Sequence, residues 1–240
     1  MANSRPPSTT GVPPAAGLRA WKKERTRETI SNVATGLFMR DGFEAVTVAQ
    51  IAAAAEVSVK TVFNYFPTKE DLFFDRADDV IGALTAAIVD RPPGTTIVGA
   101  LHDQLADRAV PFDPGGWAFL SDTDNYEHFR SFLATEAASA ALRNRRLTIA
   151  EAWSARLAQL IAHQLHLPAG DPRAASLAAF AVATMTLRAR TLTAAMLERL
   201  SAKTVERRVR AVVDEAFTRL ARAYEDVDRP AAPAIPDGHG

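Results

Sequence analysis

The sequence contains no cysteine, which excludes a disulfide framework, a thiolate zinc or iron–sulfur centre and a cysteine nucleophile. Net charge is absent too, because 28 Lys and Arg are balanced by 28 Asp and Glu. A histone-like polycation and an acidic disordered chain are both excluded, so any contact with nucleic acid must be local. Long apolar runs are missing: the longest stretch without a charged residue, Ala174 to Leu187, has 14 residues, whereas a membrane helix needs about 20. That stretch is alanine-rich and reads as a buried helix, so no membrane partner is expected. There is no G-x-S-x-G elbow, no phosphate-binding P-loop and no G-x-G-x-x-G, so no enzyme and no cofactor are expected. Of the five histidines only His163 and His166 sit three apart on a helical segment, without an acidic third ligand nearby. No metal site is expected from them.

What is present is 240 residues, 48% hydrophobic and 23% charged, enough for one to two domains with a sizeable core. Turn-forming residues are sparse and clustered at Asp41-Gly42, Pro67, Arg91 to Gly94, Pro111 to Gly116 and Pro168 to Pro172. The segments between them are rich in Ala, Leu, Arg and Glu and lack β-branched alternation, which predicts an all-α chain. Residues 1–18, with Pro6, Pro7, Pro13 and Pro14 and no apolar core, are expected to form a disordered leader rather than a signal peptide. Residues 228–240, with Pro230, Pro233 and Pro236, are expected as a disordered tail. Together with the missing thiols, this fits a cytoplasmic protein.

Between Leu18 and Arg40, Ile30, Val33, Ala34, Leu37 and Phe38 recur at helical spacing and define one buried face, which Asp41-Gly42-Phe43 ends. Thr47 is then placed to cap a short helix that turns Val48, Ile51, Ala52 and Ala55 inward. Ser58 caps another that carries Val62 and Phe66. Thr68 caps the next helix, with Glu70 and Asp71 in its favourable first turn. Two short helices around a tight turn, packed on a longer one, form a helix-turn-helix whose second helix can enter the DNA major groove. Just ahead of it, Arg19, Lys22, Lys23, Arg25 and Arg27 against Glu24 make a basic patch suited to phosphate or minor-groove contact. Trp21, within that patch, is expected to be a packing anchor.

The order Gly36-Leu37-Phe38-Met39-Arg40-Asp41-Gly42-Phe43, then Thr47-Val48-Ala49-Gln50-Ile51-Ala52, then Val57 through Leu72 resembles the tetracycline-repressor (TetR) family of bacterial transcriptional regulators. The resemblance covers about residues 26–73. It implies a homodimer of two-domain, all-helical subunits, with a three-helix DNA-binding domain at residues 19–72 and a ligand-binding and dimerisation domain at 73–227. It also implies double-stranded operator DNA and a small-molecule effector as partners. Carried over residue by residue, it makes Ser58 to Tyr65 the recognition helix. Val59, Lys60, Thr61, Phe63, Asn64 and Tyr65 then face base edges or phosphates, Lys69 holds a phosphate, and Thr47 touches the backbone while capping its helix. The chemistry agrees: Lys60, Lys69 and the patch residues Arg19, Lys22 and Lys23 can pair with phosphate, and Asn64 can bond adenine in bidentate fashion. This sequence departs from the pattern twice. Glu56 replaces the usual turn glycine, where a positive φ would be strained, and Phe63 replaces a tyrosine, leaving only apolar contact, either with a thymine methyl or as a packing residue.

Beyond residue 73 the pattern predicts helical segments at Phe74–Asp90, Thr95–Val110, Trp117–Arg146, Leu147–Leu167, Asp171–Leu200 and Ser201–Tyr224. In the last, Val205, Val209, Val212, Ala216, Leu220 and Ala223 form a wide apolar face. The helix before it has one stripe through Leu177, Phe180, Thr184, Leu187, Thr191 and Ala194 and a second through Ala178, Val182, Met185, Ala189, Leu192 and Met196. Two stripes call for two partners, one of them across a dimer interface; the face of the last helix and the second stripe are the surfaces expected there. Candidate ligand contacts are Trp117, Phe119, Phe129, Phe132, Trp153 and Met185, with Tyr126, His128 and Arg188 as polar partners. Arg188, a charge among apolar residues, must find a carboxylate, a ligand anion or solvent, and a salt bridge is the expected solution. A helical enzyme or a pure interaction scaffold is the alternative reading, distinguished by its lack of salt-sensitive, sequence-specific DNA binding.

Overall fold

The computed structural model of the chain describes residues 15–110 and 115–228, and side chains from residue 20 onward. Among these residues every regular element is helical. The chain divides into two compact units, one ending at Phe73 and the other beginning at Phe74.

The first unit contains α1 (Ala15–Asp41), α2 (Val48–Ala54), α3 (Val59–Tyr65) and α4 (Lys69–Phe73). Helix α1 starts within the segment expected as a leader; residues 1–14 lie outside the described residues. Ile30, Ala34 and Phe38 are fully enclosed, one turn apart along a single face. The helix ends where Gly42 adopts a φ of 84°, a left-handed cap that glycine takes without a Cβ clash. The next residue, Phe43, brings its ring to 5.0 Å from Phe38 and edge-on to Phe73 at 6.2 Å. The loop and α4 thus share one aromatic core with α1. Helix α2 contributes Ile51 and Ala52 to it, and α3 contributes Val62 with Phe66 just beyond.

The second unit contains α5 (Ala77–Val89), α6 (Ile97–Ala106), a 3-10 turn (Gly116–Ser121), α7 (Thr123–Ala138), α8 (Ala140–Gln164), α9 (Pro172–Leu197) and α10 (Ala202–Ala223). Helix α9 packs on both α8 and α10, and α10 packs on α6, around a core that includes Leu101, Leu105, Leu157, Ile161, Leu177, Met196, Val209 and Phe217. The segments expected at Trp117–Arg146 and Leu147–Leu167 are divided differently. The break falls at Ser139, whose ψ is 124° and whose hydroxyl accepts the Leu142 N–H. The chain is continuously helical through Arg146 and Leu147, where no capping side chain interrupts it.

Asp228, expected as the first residue of a disordered tail, is buried. Its carboxylate accepts the N–H groups of Ile97 at 2.8 Å and Val98 at 2.7 Å, satisfying two of the donors that a helix leaves unpaired in its first turn. Residues 229–240 lie outside the described residues.

Glu56, His166 and Arg199 have φ values of 55°, 54° and 56°, and each directly follows the end of a helix. The following residue in each case donates to a carbonyl five positions back: Val57 to Ala52, Leu167 to Ala162 and Leu200 to Ala195. These are left-handed helix caps built without glycine. The strain expected at Glu56 is therefore present, costing about 1 kcal/mol at such a residue.

Candidate nucleic-acid interface

The helix-turn-helix is fixed at both helix starts by side-chain caps, the first of them reciprocal. The Thr47 hydroxyl accepts the Gln50 N–H at 3.2 Å, and the Gln50 amide oxygen accepts the Thr47 N–H at 2.7 Å. This capping box sets where α2 begins, and Gln50 in it is a positioning residue that the Thr-x-x-Gln spacing would have revealed. Ser58 does the same for α3 by accepting the Thr61 N–H at 3.0 Å. Its hydroxyl also lies 2.8 Å from that of Thr61, so Thr61 is engaged in the cap as well as standing on the expected DNA-facing helix.

With α3 pinned at its start and Val62 and Phe66 inside, its outer surface follows from helical geometry. Val59 and Phe63, four residues apart, form one column, and Lys60 and Asn64 form a parallel one. All four are exposed, Val59 by 41% and Phe63 by 46%. Phe63 is therefore not part of the core of this unit. Tyr65 is half-buried at the edge of the helix.

Lys69 takes a position that sequence reasoning did not anticipate. Its ammonium donates to the carbonyls of Phe43 at 2.8 Å and Val46 at 3.0 Å and sits 4.2 Å from the centre of the Phe43 ring. It thereby ties the loop between α1 and α2 to the start of α4, and two of its three N–H groups are occupied.

The basic patch lies on the first turns of α1, with Lys22, Lys23 and Arg25 exposed. The side chain of Arg19 lies outside the described residues. Arg27 rests over Phe66, 5.2 Å from the ring centre, and lies 3.8 Å from Glu24. Trp21 is 51% exposed and carries the Arg25 guanidinium 5.3 Å from its ring centre. The expectation of a packing anchor was wrong within this unit, because Trp21 precedes Ile30, the first residue of α1 that the core encloses.

Residues 30–75 match the family model described as bacterial regulatory proteins, tetR family. These residues thus form a DNA-binding domain of the TetR-family type. The chain is 38% identical over 104 residues to the transcriptional regulator TcmR of Streptomyces glaucescens, an alignment covering 43% of this chain and 45% of TcmR. It is 30% identical over 71 residues to the transcriptional repressor NicS of Pseudomonas putida, covering 30% and 34% of the two chains. The chain thus spans less than half the length of these curated relatives. A TetR-family regulator from Streptomyces coelicolor aligns structurally with a TM-score of 0.41 at 18% identity, over 88% of this chain and 92% of that one.

In the second unit, several of the expected ligand residues lie side by side. Phe119, Phe129 and Phe132 form a chain of rings, 6.1 Å and 6.3 Å between successive centres, and with Tyr126, Trp153 and Met185 they are half-buried against the core. The Tyr126 hydroxyl donates to the Leu200 carbonyl at 2.6 Å. Burial, then the neighbouring Glu127 charge, holds its pKa above the ordinary phenol value. His128 is exposed. A groove of about 570 Å³ opens between α5 and α6 beside Asp90, Arg91, Asp103 and Gln104, and none of the nine expected ligand residues lines it.

Arg188 is buried, and its expected salt bridge is replaced by backbone. Its Nε donates to the Leu105 carbonyl at 2.9 Å, and one terminal nitrogen donates to the carbonyls of Arg108 and Ala109. Trp117 joins it, donating its indole N–H to the Ala106 carbonyl at 2.7 Å. The carbonyls of Leu105 and Ala106 belong to the last turn of α6 and those of Arg108 and Ala109 to the segment just after it, at the negative end of the helix dipole, which favours a cation. Burial pushes the Arg188 pKa down to about 10, so the side chain stays charged at neutral pH.

No group of three or more His, Asp or Glu side chains among the described residues is arranged to hold a metal ion. No helix among them is long and apolar enough to cross a membrane.

Proposed function

We propose that the chain is a cytoplasmic transcriptional repressor that binds a pseudo-palindromic operator in double-stranded DNA as a homodimer and is released by a small molecule. The observation that carries this reading is the outer face of α3, where Val59, Lys60, Phe63 and Asn64 project from a helix capped and packed by everything around it. Such a face offers phosphate, base-edge and apolar contacts from a single rigid element. The exposed Lys22, Lys23 and Arg25 supply further phosphate-directed charge at the start of α1.

Two-fold operator recognition places two recognition helices about 34 Å apart, which calls for a second protomer. The surface that supports one is on α9. Phe180 is 56% exposed and Leu187 48%, with Ala183 and Ala194 exposed and Leu197 at the end of the same stripe. The stripe expected there, through Ala178, Val182, Leu192 and Met196, is instead core of the subunit, as are Val205, Val209, Val213 and Phe217 of α10. The outer side of α10 is largely charged, with Arg207, Arg208, Asp214, Glu215 and Arg219 exposed. Of the apolar face expected on α10, Val212 and Ala216 are half-buried and Ala223 is exposed, so its contribution to a dimer is mixed, and α9 supplies the larger apolar side chains.

The repressor reading is supported by the name of NicS, and the effector reading by the half-buried aromatic residues of the second unit. An effector acts by binding the DNA-incompetent arrangement better than the competent one, and its differential affinity limits the extent of release. The test is selection of duplexes from a random library with the full-length protein, followed by binding measured against salt. A selected palindrome bound by two protomers, with affinity falling steeply as salt rises, is the expected outcome. Binding no tighter than to unrelated duplex would refute the function.

A further inference from the structure

We propose that α3 reads its half-site in part through the C5 methyl groups of thymine, seated against the apolar column of Val59 and Phe63. The inference rests on the operator-binding reading and specifies the chemistry of the bases it would select.

Val59 and Phe63 stand one helical turn apart on the same face of α3, and both are exposed. The inward positions of this helix are already filled by Val62 and Phe66. An aromatic ring and a β-branched side chain held in water on a seven-residue helix cost free energy unless a partner covers them. Their neighbours indicate what covers them. Lys60 and Asn64 form the adjacent exposed column, so the surface is half apolar and half polar, and its polar half suits anionic and base-edge acceptors.

Among the groups that the four bases present in the major groove, the thymine methyl is the apolar one; the others are hydrogen-bond donors and acceptors. Phe63 has no hydroxyl to donate to phosphate, and the Thr61 hydroxyl is engaged with that of Ser58. The column next to Val59 and Phe63 places the Asn64 amide where it can pair with the N6 and N7 edge of adenine, the partner or neighbour of such a thymine. The half-site core then carries thymine opposite or beside adenine, with the methyl on the Val59–Phe63 side.

The experiment starts from a duplex selected with the full-length protein. Each thymine in it is replaced in turn by deoxyuridine, which removes only the methyl group. One or two thymines per half-site should weaken binding about fourfold each, the factor for losing one buried methyl-sized group. In Phe63→Ala or Val59→Ala that penalty should disappear, whatever the overall affinity of the variant, because the ratio is taken within each protein. Both side chains are exposed, so both variants should melt with the wild type. Lys60→Ala should retain the thymine-to-deoxyuridine ratio while lowering the salt dependence. Wild-type indifference to deoxyuridine at every position, or a full penalty surviving in both apolar variants, overturns the inference and leaves operator binding intact. Failure to select any duplex overturns both.

Discussion

Replacing Asp228 by alanine is expected to destabilise the second unit far more than its place next to the proline-rich segment suggests. The side chain is buried and accepts two backbone N–H groups at 2.7 and 2.8 Å. Removing it strands both donors away from water, at about 1–3 kcal/mol each, and takes an anion from the positive end of α6. Relief from burying a charge offsets part of this, and Thr96 still caps the Gly99 N–H. A net loss of about 3 kcal/mol is the result, and at roughly 2–4 °C per kcal/mol for a unit of this size the melting temperature should fall by about 10 °C. Asp228→Asn, which keeps one acceptor oxygen but no charge, should fall between the two. The assay is thermal unfolding by circular dichroism at a fixed protein concentration, since dimerisation shifts the midpoint by mass action. If Asp228→Ala melts within about 2 °C of the wild type, the carboxylate does not hold α6 and the reasoning fails.

Four further outcomes are expected. Leu187→Glu should sediment as a folded monomer without operator affinity, whereas Val209→Glu should fail to fold, because it buries an unpaired carboxylate within the subunit; a full-affinity Leu187→Glu dimer would place the interface elsewhere. Lys69→Ala should lower the stability of the DNA-binding domain by about 2 kcal/mol through its two lost carbonyl bonds. It should also reduce the salt slope of DNA binding by about one unit if the third N–H holds a phosphate; an unchanged melt rules out the clamp. Burial by itself lowers the His102 pKa, but hydrogen bonds to Asp103 and Asp214 at 2.9 and 2.8 Å outweigh it, and the net shift is upward. The stability that His102 adds is therefore complete below pH ~6.5 and lost as pH rises through the higher folded value; His102→Phe should flatten stability over that interval, and an unaltered pH profile would contradict it. Substituting Lys22 and Lys23 together by alanine should weaken operator binding most at low salt; equal affinity at every salt concentration would make the patch a solvated surface.

The first unit was legible because its determinants are local. The period of Ile30, Ala34 and Phe38, the stop at Gly42 and the caps at Thr47 and Ser58 each act within about one helical turn, so a linear reading captures them. The exposed column on α3 follows from the same arithmetic once Val62 and Phe66 are assigned inward. Elsewhere the deciding partner is remote in sequence. Arg188 meets carbonyls some 80 positions earlier, and Asp228 meets amides about 130 positions earlier. Spacing announces that a buried charge needs a partner but does not say which. Periodicity likewise reported two apolar stripes on α9 without saying which one α8 and α10 cover. The break at Ser139 escaped because a lone serine among alanines is compatible with a helix interior, and only its extended ψ makes it a cap.

Helix ends are ordinarily the first parts of a fold to open, fraying and re-forming without disturbing the rest. The end of α6 is denied that freedom. Arg188 remains protonated inside the second unit, and the carbonyls of Leu105, Arg108 and Ala109 are what stabilise its charge. If that turn unwinds, a bare cation is left in an apolar interior, so the turn can open only when α9 withdraws the guanidinium as well. The two helices are thereby joined into one cooperative unit, and the amides at the end of α6 should exchange with solvent as slowly as those around Arg188 on α9.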